Sequence, residues 1–248
     1  MGKVVLNSTV SLDGFIADAQ DQPGSLFEWL LGGDVPLDES GLLKVSQVSF
    51  DHTRPYWDSI GATVVGRHVF DLTDGWGGQP PGGVPHVVVV THRPPPDGWD
   101  REAPFTFAGS IQEAMERAQD LAGDRVVEVA AGDVGGQVFA AGLVDEVRMD
   151  MVPVVLGAGK RYFGAVHAEH LLRDRTWCCR AAGCCTCATR CAASAAGAVR
   201  GLSVWVQQGR WWSGQQAGAD VPVRTVHGSP GVPRRRRRQL RPAAAPAG

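Results

Sequence analysis

Three short segments of this 248-residue chain carry side chains whose types and spacing could do chemistry. In Ser11-Leu12-Asp13-Gly14 a carboxylate comes just after a β-branched run. Partly shut off from water, Asp13 could hold or deliver a proton. An ordinary turn, with Asp capping the local backbone ahead of glycine, would use the same residues. In Gly66-Arg67-His68, directly after Ala62-Thr63-Val64-Val65, a guanidinium and unpaired backbone N–H groups open a helix, which suits an anion. The plainer reading is a solvated turn. Thr91-His92-Arg93 repeats the theme with a hydroxyl, an imidazole and a second guanidinium. Residues 1–170 hold only eight arginines, so two at strand ends are notable. Together they could clamp a dianionic phosphate, since a planar guanidinium grips two oxygens at once.

Other chemistries are excluded. The chain has no Gly-x-Gly-x-x-Gly fingerprint after a strand and no Walker loop. Its seven histidines show no ligand spacing with carboxylates, so no metal is expected in the body of the chain, and no Ser or Cys nucleophile motif occurs. At 44% hydrophobic and 20% charged residues the composition is globular, which rules out wholesale disorder and fibrous architectures. No apolar run reaches the roughly 18 to 20 residues that span a bilayer. The N-terminus lacks a basic-then-apolar leader, and a soluble, cytoplasmic protein is expected.

The elements that must position these residues alternate in type. Lys3 to Val10 reads as a buried strand, and residues 39 to 60 as largely helical with an interruption at Pro55. Ala62–Val65 and Val87–Thr91 are strands, the latter bounded by Pro85 and by Pro94-Pro95-Pro96. Ser110-Ile111-Gln112-Glu113 is a capping box, and Ile111, Met115, Ala118 and Leu121 recur at helical spacing, which predicts a helix over 110–122. Val126–Val129 is a strand, Val134–Ala141 a helix, and Glu146–Val155 a further strand running into Gly157-Ala158-Gly159. Such alternation implies a mainly parallel sheet covered on both faces, with ligands at the carboxyl ends of its strands.

In combination these segments are recognisable. Ser11-Leu12-Asp13-Gly14-Phe15-Ile16-Ala17, Val64-Val65-Gly66-Arg67-His68-Val69-Phe70, Val88-Val89-Val90-Thr91, Gly142-Leu143-Val144-Asp145-Glu146 and Pro153 to Phe163 occur in order. The pattern resembles the dihydrofolate-reductase-like superfamily, in particular the reductase domain of the bacterial riboflavin-synthesis deaminase-reductase and its stand-alone relatives. The resemblance covers residues 1 to about 172. It implies a three-layer α/β/α fold and an NADPH-dependent reductase that passes a hydride to a C=N bond of a small heterocyclic or ribosylaminopyrimidine substrate, with dihydrofolate-reductase-type activity as the alternative. By motif match Gly66, Arg67 and His68 would meet the cofactor phosphates. Thr91, His92 and Arg93 would meet the adenosine 2′-phosphate, which favours NADPH over NADH. Gly132, Asp133 and Val134 would also line the cofactor, and Asp13 would lie near nicotinamide and substrate as proton donor or orienting group. The family's Gly-Gly pair is replaced here by Ala130-Ala131 before Gly132, where added methyl groups could crowd the cofactor.

The remainder, 173–248, reads differently. Residues 1–170 carry a formal charge of -13 and residues 171–248 one of +11. All six cysteines fall between Cys178 and Cys191, and from residue 171 onward there is no Lys, Glu, Ile, Met, Phe, Tyr or Asn. A shifted reading frame in a GC-rich gene would produce this Ala, Arg, Gly and Cys-rich composition. The expectation is a disordered tail from about residue 174, a sheet that lacks its closing strands, and a homodimer made doubtful by their loss. Zinc at Cys184-Cys185-Thr186-Cys187 with Cys191, and nonspecific nucleic-acid binding by Arg234–Arg238, are minor alternatives. The rival from another class is a noncatalytic remnant with a basic tail.

Overall fold

The computed structural model describes residues 1–39, 41–173, 175–181 and 184–191, which all lie in the compact unit Met1–Ala198. Its centre is one eight-stranded sheet. In chain order the strands are β1 (Val4–Ser11), β2 (Phe15–Ala17), β3 (Val35–Pro36), β4 (Lys44–Val45), β5 (Ile60–Gly66), β6 (Val87–Val90), β7 (Phe105–Ala108), β8 (Val126–Ala130), β9 (Glu146–Val152), β10 (Lys160–Arg161), β11 (Arg175–Ala181) and β12 (Cys184–Arg190). The helices are α1 (Gln47–Ser59), α2 (Arg67–Leu72), α3 (Ile111–Ala122) and α4 (Asp133–Ala140). The main sheet runs β11-β12-β9-β1-β8-β5-β6-β7, and β2/β10 and β3/β4 form small separate pairs.

From β9 to β7 every neighbouring pair is parallel, so both faces need cover and the strands read as apolar runs such as Val87-Val88-Val89-Val90. On one face Leu6, Val64, Val88, Val127 and Val129 pack with Ala114, Met115 and Ala118 of α3 and Val138 and Phe139 of α4. On the other, Val65, Val87 and Val89 meet Phe70 of α2, flanked by Trp76, Trp99, Phe105 and Phe107. With α1 also on this second side, the architecture is the expected three-layer one.

Several expectations need correction. Helix α1 begins at Gln47, where the Ser46 hydroxyl caps it by accepting from the Ser49 N–H at 3.2 Å; residues 44 and 45 are strand instead. Pro55 lies inside α1 without ending it. The helix is pinned on both sides of the missing N–H, because Arg54 donates to the Leu37 carbonyl at 3.0 Å and pairs with Asp58, while Thr53 is buried. Strand β7, too short to show a period, was not anticipated. The largest correction concerns the closing strands, which are present: β12 pairs antiparallel with β9 along Cys185 to Arg190, and β11 pairs antiparallel with β12. The folded domain therefore extends past residue 172, and the expected disorder from about 174 does not hold for 175–181 and 184–191. Thr, Trp and Cys are tolerated in a ladder, and β9 offers an open row of backbone donors and acceptors that this hairpin satisfies. Residues 192–248, including the arginine run, lie outside the described residues.

Candidate active site

Arg67 and Arg93, the residues expected to meet a phosphate, lie just past the carboxyl ends of β5 and β6. Arg67 donates from Nε to Asp71 Oδ1 at 2.6 Å and from Nη1 to the Pro94 carbonyl at 2.8 Å, and its guanidinium lies 5.4 Å from the Phe70 ring centre. Arg93 reaches the second oxygen of the same carboxylate, Asp71 Oδ2, at 2.5 Å. The two guanidinium groups thus share one face and one counter-ion. Hydrogen bonding from Arg67, reinforced by Arg93, holds the Asp71 pKa below the usual carboxylate range. Thr91 sets the turn that presents Arg93, accepting the Arg93 N–H on Oγ1 at 3.0 Å. His92 is exposed. His68 extends across to Asp21, 3.2 Å away, whose other oxygen lies 3.2 Å from Lys160 Nζ.

The α4 end adjoins this site. A Cβ on Gly66 would sit 3.1 Å from Val134 Cγ2, so the first turns of α2 and α4 touch. Gly132 caps α4 with φ 102°, a conformation L side chains rarely adopt, and no side chain caps that helix. Its N–H donates to the Tyr162 carbonyl at 2.7 Å, and a Cβ there would lie 3.2 Å from Ile16. Of the two substituted alanines, Ala130 ends β8 and Ala131 lies in the turn that follows, and the positive-φ position is still glycine. Val134 therefore lies against Gly66, and Gly132 lies two residues before it at the start of α4. Asp133 stands apart: its side chain packs beside Gly164, on the wall of a separate hollow with His167.

Asp13 is engaged by three hydrogen bonds just past the end of β1. Its carboxylate accepts from Ser11 Oγ at 2.6 Å, from the Leu156 N–H at 3.1 Å and from the Gly157 N–H at 2.7 Å. These bonds, that from Ser11 foremost, lower its pKa. An exposed carboxylate with three donors stays ionised, so Asp13 ties the end of β1 to the 153–157 segment and is a poor store for a proton.

A second feature escaped the sequence reading. On the α1 side of the sheet, a cleft of about 240 Å³ lies between Phe27, Trp29 and Trp57 above and Asn7, Thr9, Thr63, Glu128, Ala130 and Asp150 below. Glu128 accepts from Asn7 Nδ2 at 2.8 Å, and from Tyr56 Oη and Thr63 Oγ1 at 3.3 Å each. Burial raises its pKa against the lowering effect of those bonds, and burial likewise raises that of Asp150. Asp150 accepts from Thr186 on β12 and lies 3.9 Å from Arg148, whose guanidinium stacks 4.0 Å over the Tyr56 ring and approaches His52 Nε2 at 3.3 Å. Ala130, in the floor of the cleft, ends β8 two residues before Gly132, and Ala131 donates its N–H to the Asn7 carbonyl at 3.2 Å. The available signal was charge inside strands that must be buried: Glu128 in Val-Val-Glu-Val-Ala, and Arg148 and Asp150 two apart, hence on one face, in β9.

Among the described residues no group of three or more His, Cys, Asp or Glu could hold a metal, and no helix is long and apolar enough to cross a membrane. Cys184 and Cys187, the Cys-x-x-Cys pair, stand three apart on β12 and so face opposite sides of the sheet.

The fold is of the mainly parallel three-layer α/β class expected from the sequence. The chain belongs to the RibD C-terminal domain family, whose model matches residues 2–186, and the match runs through β11 into β12. Among solved structures it is similar to a riboflavin biosynthesis protein from Shewanella sp. PV-4, with 17% identity, TM-score 0.57, and coverage of 76% of this chain and 98% of that one. It is also similar to a diaminohydroxyphosphoribosylaminopyrimidine deaminase/5-amino-6-(5-phosphoribosylamino)uracil reductase from Thermotoga maritima, with 15% identity, TM-score 0.49, and coverage of 77% of this chain and 57% of that one. The chain thus spans little more than half of that enzyme's length. Dihydrofolate reductase from Enterococcus faecalis, complexed with NADP(H), matches at 15% identity and TM-score 0.49 over 76% of this chain and 95% of that one. No curated protein sequence matches the chain.

Proposed function

We propose that this chain is an NADPH-dependent reductase that transfers a hydride to the carbon of a C=N bond in a small nitrogen-containing substrate. The observation that carries this reading is the convergence of Arg67 and Arg93 on Asp71 at the carboxyl ends of adjacent parallel strands. The residues present fit a phosphorylated dinucleotide. Two guanidinium groups within reach of one carboxylate are within reach of one phosphate, and beside them α4 begins at a glycine with no side-chain cap.

When bound, the nicotinamide supplies the hydride. In this reading Arg67 and Arg93 grip the 2′-phosphate, exchanging Asp71 oxygens for phosphate oxygens, with His68, Thr91 and His92 on the rim. Gly66, Gly132 and Val134 let the dinucleotide backbone pass close to the sheet. Trp29 and Trp57 keep water from the cleft, and Glu128 orients the substrate through its carboxylate.

Quenching of tryptophan fluorescence by NADPH and by NADH tests the reading. NADPH is expected to bind the tighter, and Arg67→Ala and Arg93→Ala are each expected to weaken NADPH by roughly 10-fold or more, the scale of a lost charge-assisted hydrogen bond, with little effect on NADH. Equal affinity for the two cofactors, or variants that leave NADPH binding unchanged, would overturn it.

A further inference from the structure

Residues 159–164 are packed backbone against backbone between β2 and the first turn of α4. A Cβ on Gly159 would lie 2.0 Å from the Ala17 carbonyl oxygen, one on Gly136 2.2 Å from that of Phe163, and one on Gly164 2.9 Å from that of Gly132. Such approaches leave no room for a side chain at these three positions.

Tyr162 is the hub of this segment. Its N–H donates to the Gly14 carbonyl at 3.0 Å, and its own carbonyl accepts from the Gly132 N–H at 2.7 Å. Its side chain is buried, with Oη 2.8 Å from the Leu6 carbonyl oxygen and 2.7 Å from that of Arg148, so one hydroxyl proton is shared between the neighbouring strands β1 and β9. Burial pushes the Tyr162 pKa well above the ordinary phenol range, and the hydroxyl stays a donor. Asn7, next to Leu6, and Asp150, two residues past Arg148, line the floor of the cleft.

We propose that Tyr162 is a positioning residue: it holds the Gly14 and Gly132 turns against the two strands that floor the cleft, and so sets where the cofactor lies relative to the substrate. The inference rests on the reductase reading for what occupies these turns. Without the hydroxyl the ring still fills its site, but two buried carbonyls lose the donor they share, and apolar contact alone holds the side chain to the sheet. Placement matters here because a displacement of about 1 Å between reacting groups can cost roughly 100-fold in rate. Arg67 and Arg93 bond to Asp71 and to the Pro94 carbonyl, not to this segment, so the arginine end is held separately.

The test compares Tyr162→Phe with wild type in the full chain. Without cofactor, amide hydrogen exchange is expected to rise by about threefold to tenfold in residues 14–17 and 132–136 together, with α3 unchanged. In calorimetric titrations NADPH is expected to bind the variant about threefold or more weakly, whereas adenosine 2′,5′-bisphosphate, which reaches only the arginine end, binds both proteins equally. A merely structural role would raise exchange throughout the domain and weaken both ligands alike; that outcome, or a variant indistinguishable from wild type, would overturn the proposal. If Tyr162→Phe does not fold, exchange in the wild type decides. NADPH is then expected to protect both turns and residues 160–164 together and adenosine 2′,5′-bisphosphate none of them, and protection of one turn without the other counts against the proposal. A wild type that binds neither ligand defeats the reductase reading, while exchange without cofactor still decides the role of Tyr162.

Discussion

Arg67 and Arg93, 26 residues apart in the chain, hold opposite oxygens of a single carboxylate, that of Asp71, at 2.6 and 2.5 Å. The arrangement works because β5 and β6 are parallel neighbours, with Gly66 in register with Val90, so that the residues following both strands emerge side by side. Asp71 keeps two like charges together, and in the proposed function it is the competitor of the cofactor phosphate.

Removing that competitor should therefore favour the anion. Asp71→Asn is expected to tighten NADPH binding by roughly threefold to tenfold at low ionic strength, with a smaller gain in high salt where exposed charges are screened. Titrations at two salt concentrations check it; weaker binding in the variant would mean that Asp71 positions the arginines more than it competes.

The buried Glu128 should leave a mark on stability. Its folded pKa is raised above the ordinary 4.5, chiefly by burial, so between those values the folded state holds more proton than the unfolded one. Stability must then fall as pH rises from about 4.5 through the folded pKa. Asp150, raised from 3.8, acts in the same sense. Melting temperatures measured across this window should decline in the wild type and decline less in Glu128→Gln. Asp13 and Asp71, whose pKa values are lowered from 3.8, act oppositely, and their contribution is lost only as pH falls below that range.

Arg148 is 3% exposed and stacks on Tyr56 beside Asp150. Arg148→Ala should cost about 3 to 5 kcal/mol in chemical denaturation, because it strands a buried carboxylate and empties the stacked position. Arg148→Lys should recover only part of this, since an ammonium cannot reproduce a planar stack.

Asp13→Ala separates a clamp from an acid. Loss of its bonds to Ser11, Leu156 and Gly157 should loosen the 153–157 segment and raise its amide hydrogen exchange. Reductase activity should then drop by a similar factor at every pH. Selective loss of one limb of the pH profile would restore Asp13 as a proton donor.

How much could be read in advance follows from the range of each interaction. Helix α3 was legible because its Ser110 cap and its apolar positions lie within one segment, and the four valines of β6 announce a strand buried on both faces. Local spacing likewise pointed to Gly66, Arg67 and Arg93. Composition misled at the closing hairpin, where Cys-Cys-Thr-Cys-Ala-Thr takes strand form because β9 supplies the partner ladder. That supply is a property of the assembled sheet and of no single segment.

The amino-acid sequence alone determined the succession of β1, β5, β6, α3, β8, α4 and β9, the parallel sheet and the two arginine-bearing turns, since periodicity, caps and turn residues act over a few positions. Only tertiary structure decided that both arginines meet on Asp71, that Asp13 is spent on backbone amides of a segment about 140 residues away, and that Glu128 of β8 and Asp150 of β9 line one cleft under α1. Those relationships depend on strand order, which places β8 and β9 on either side of β1, and burial there gives the two carboxyl groups their altered acidity.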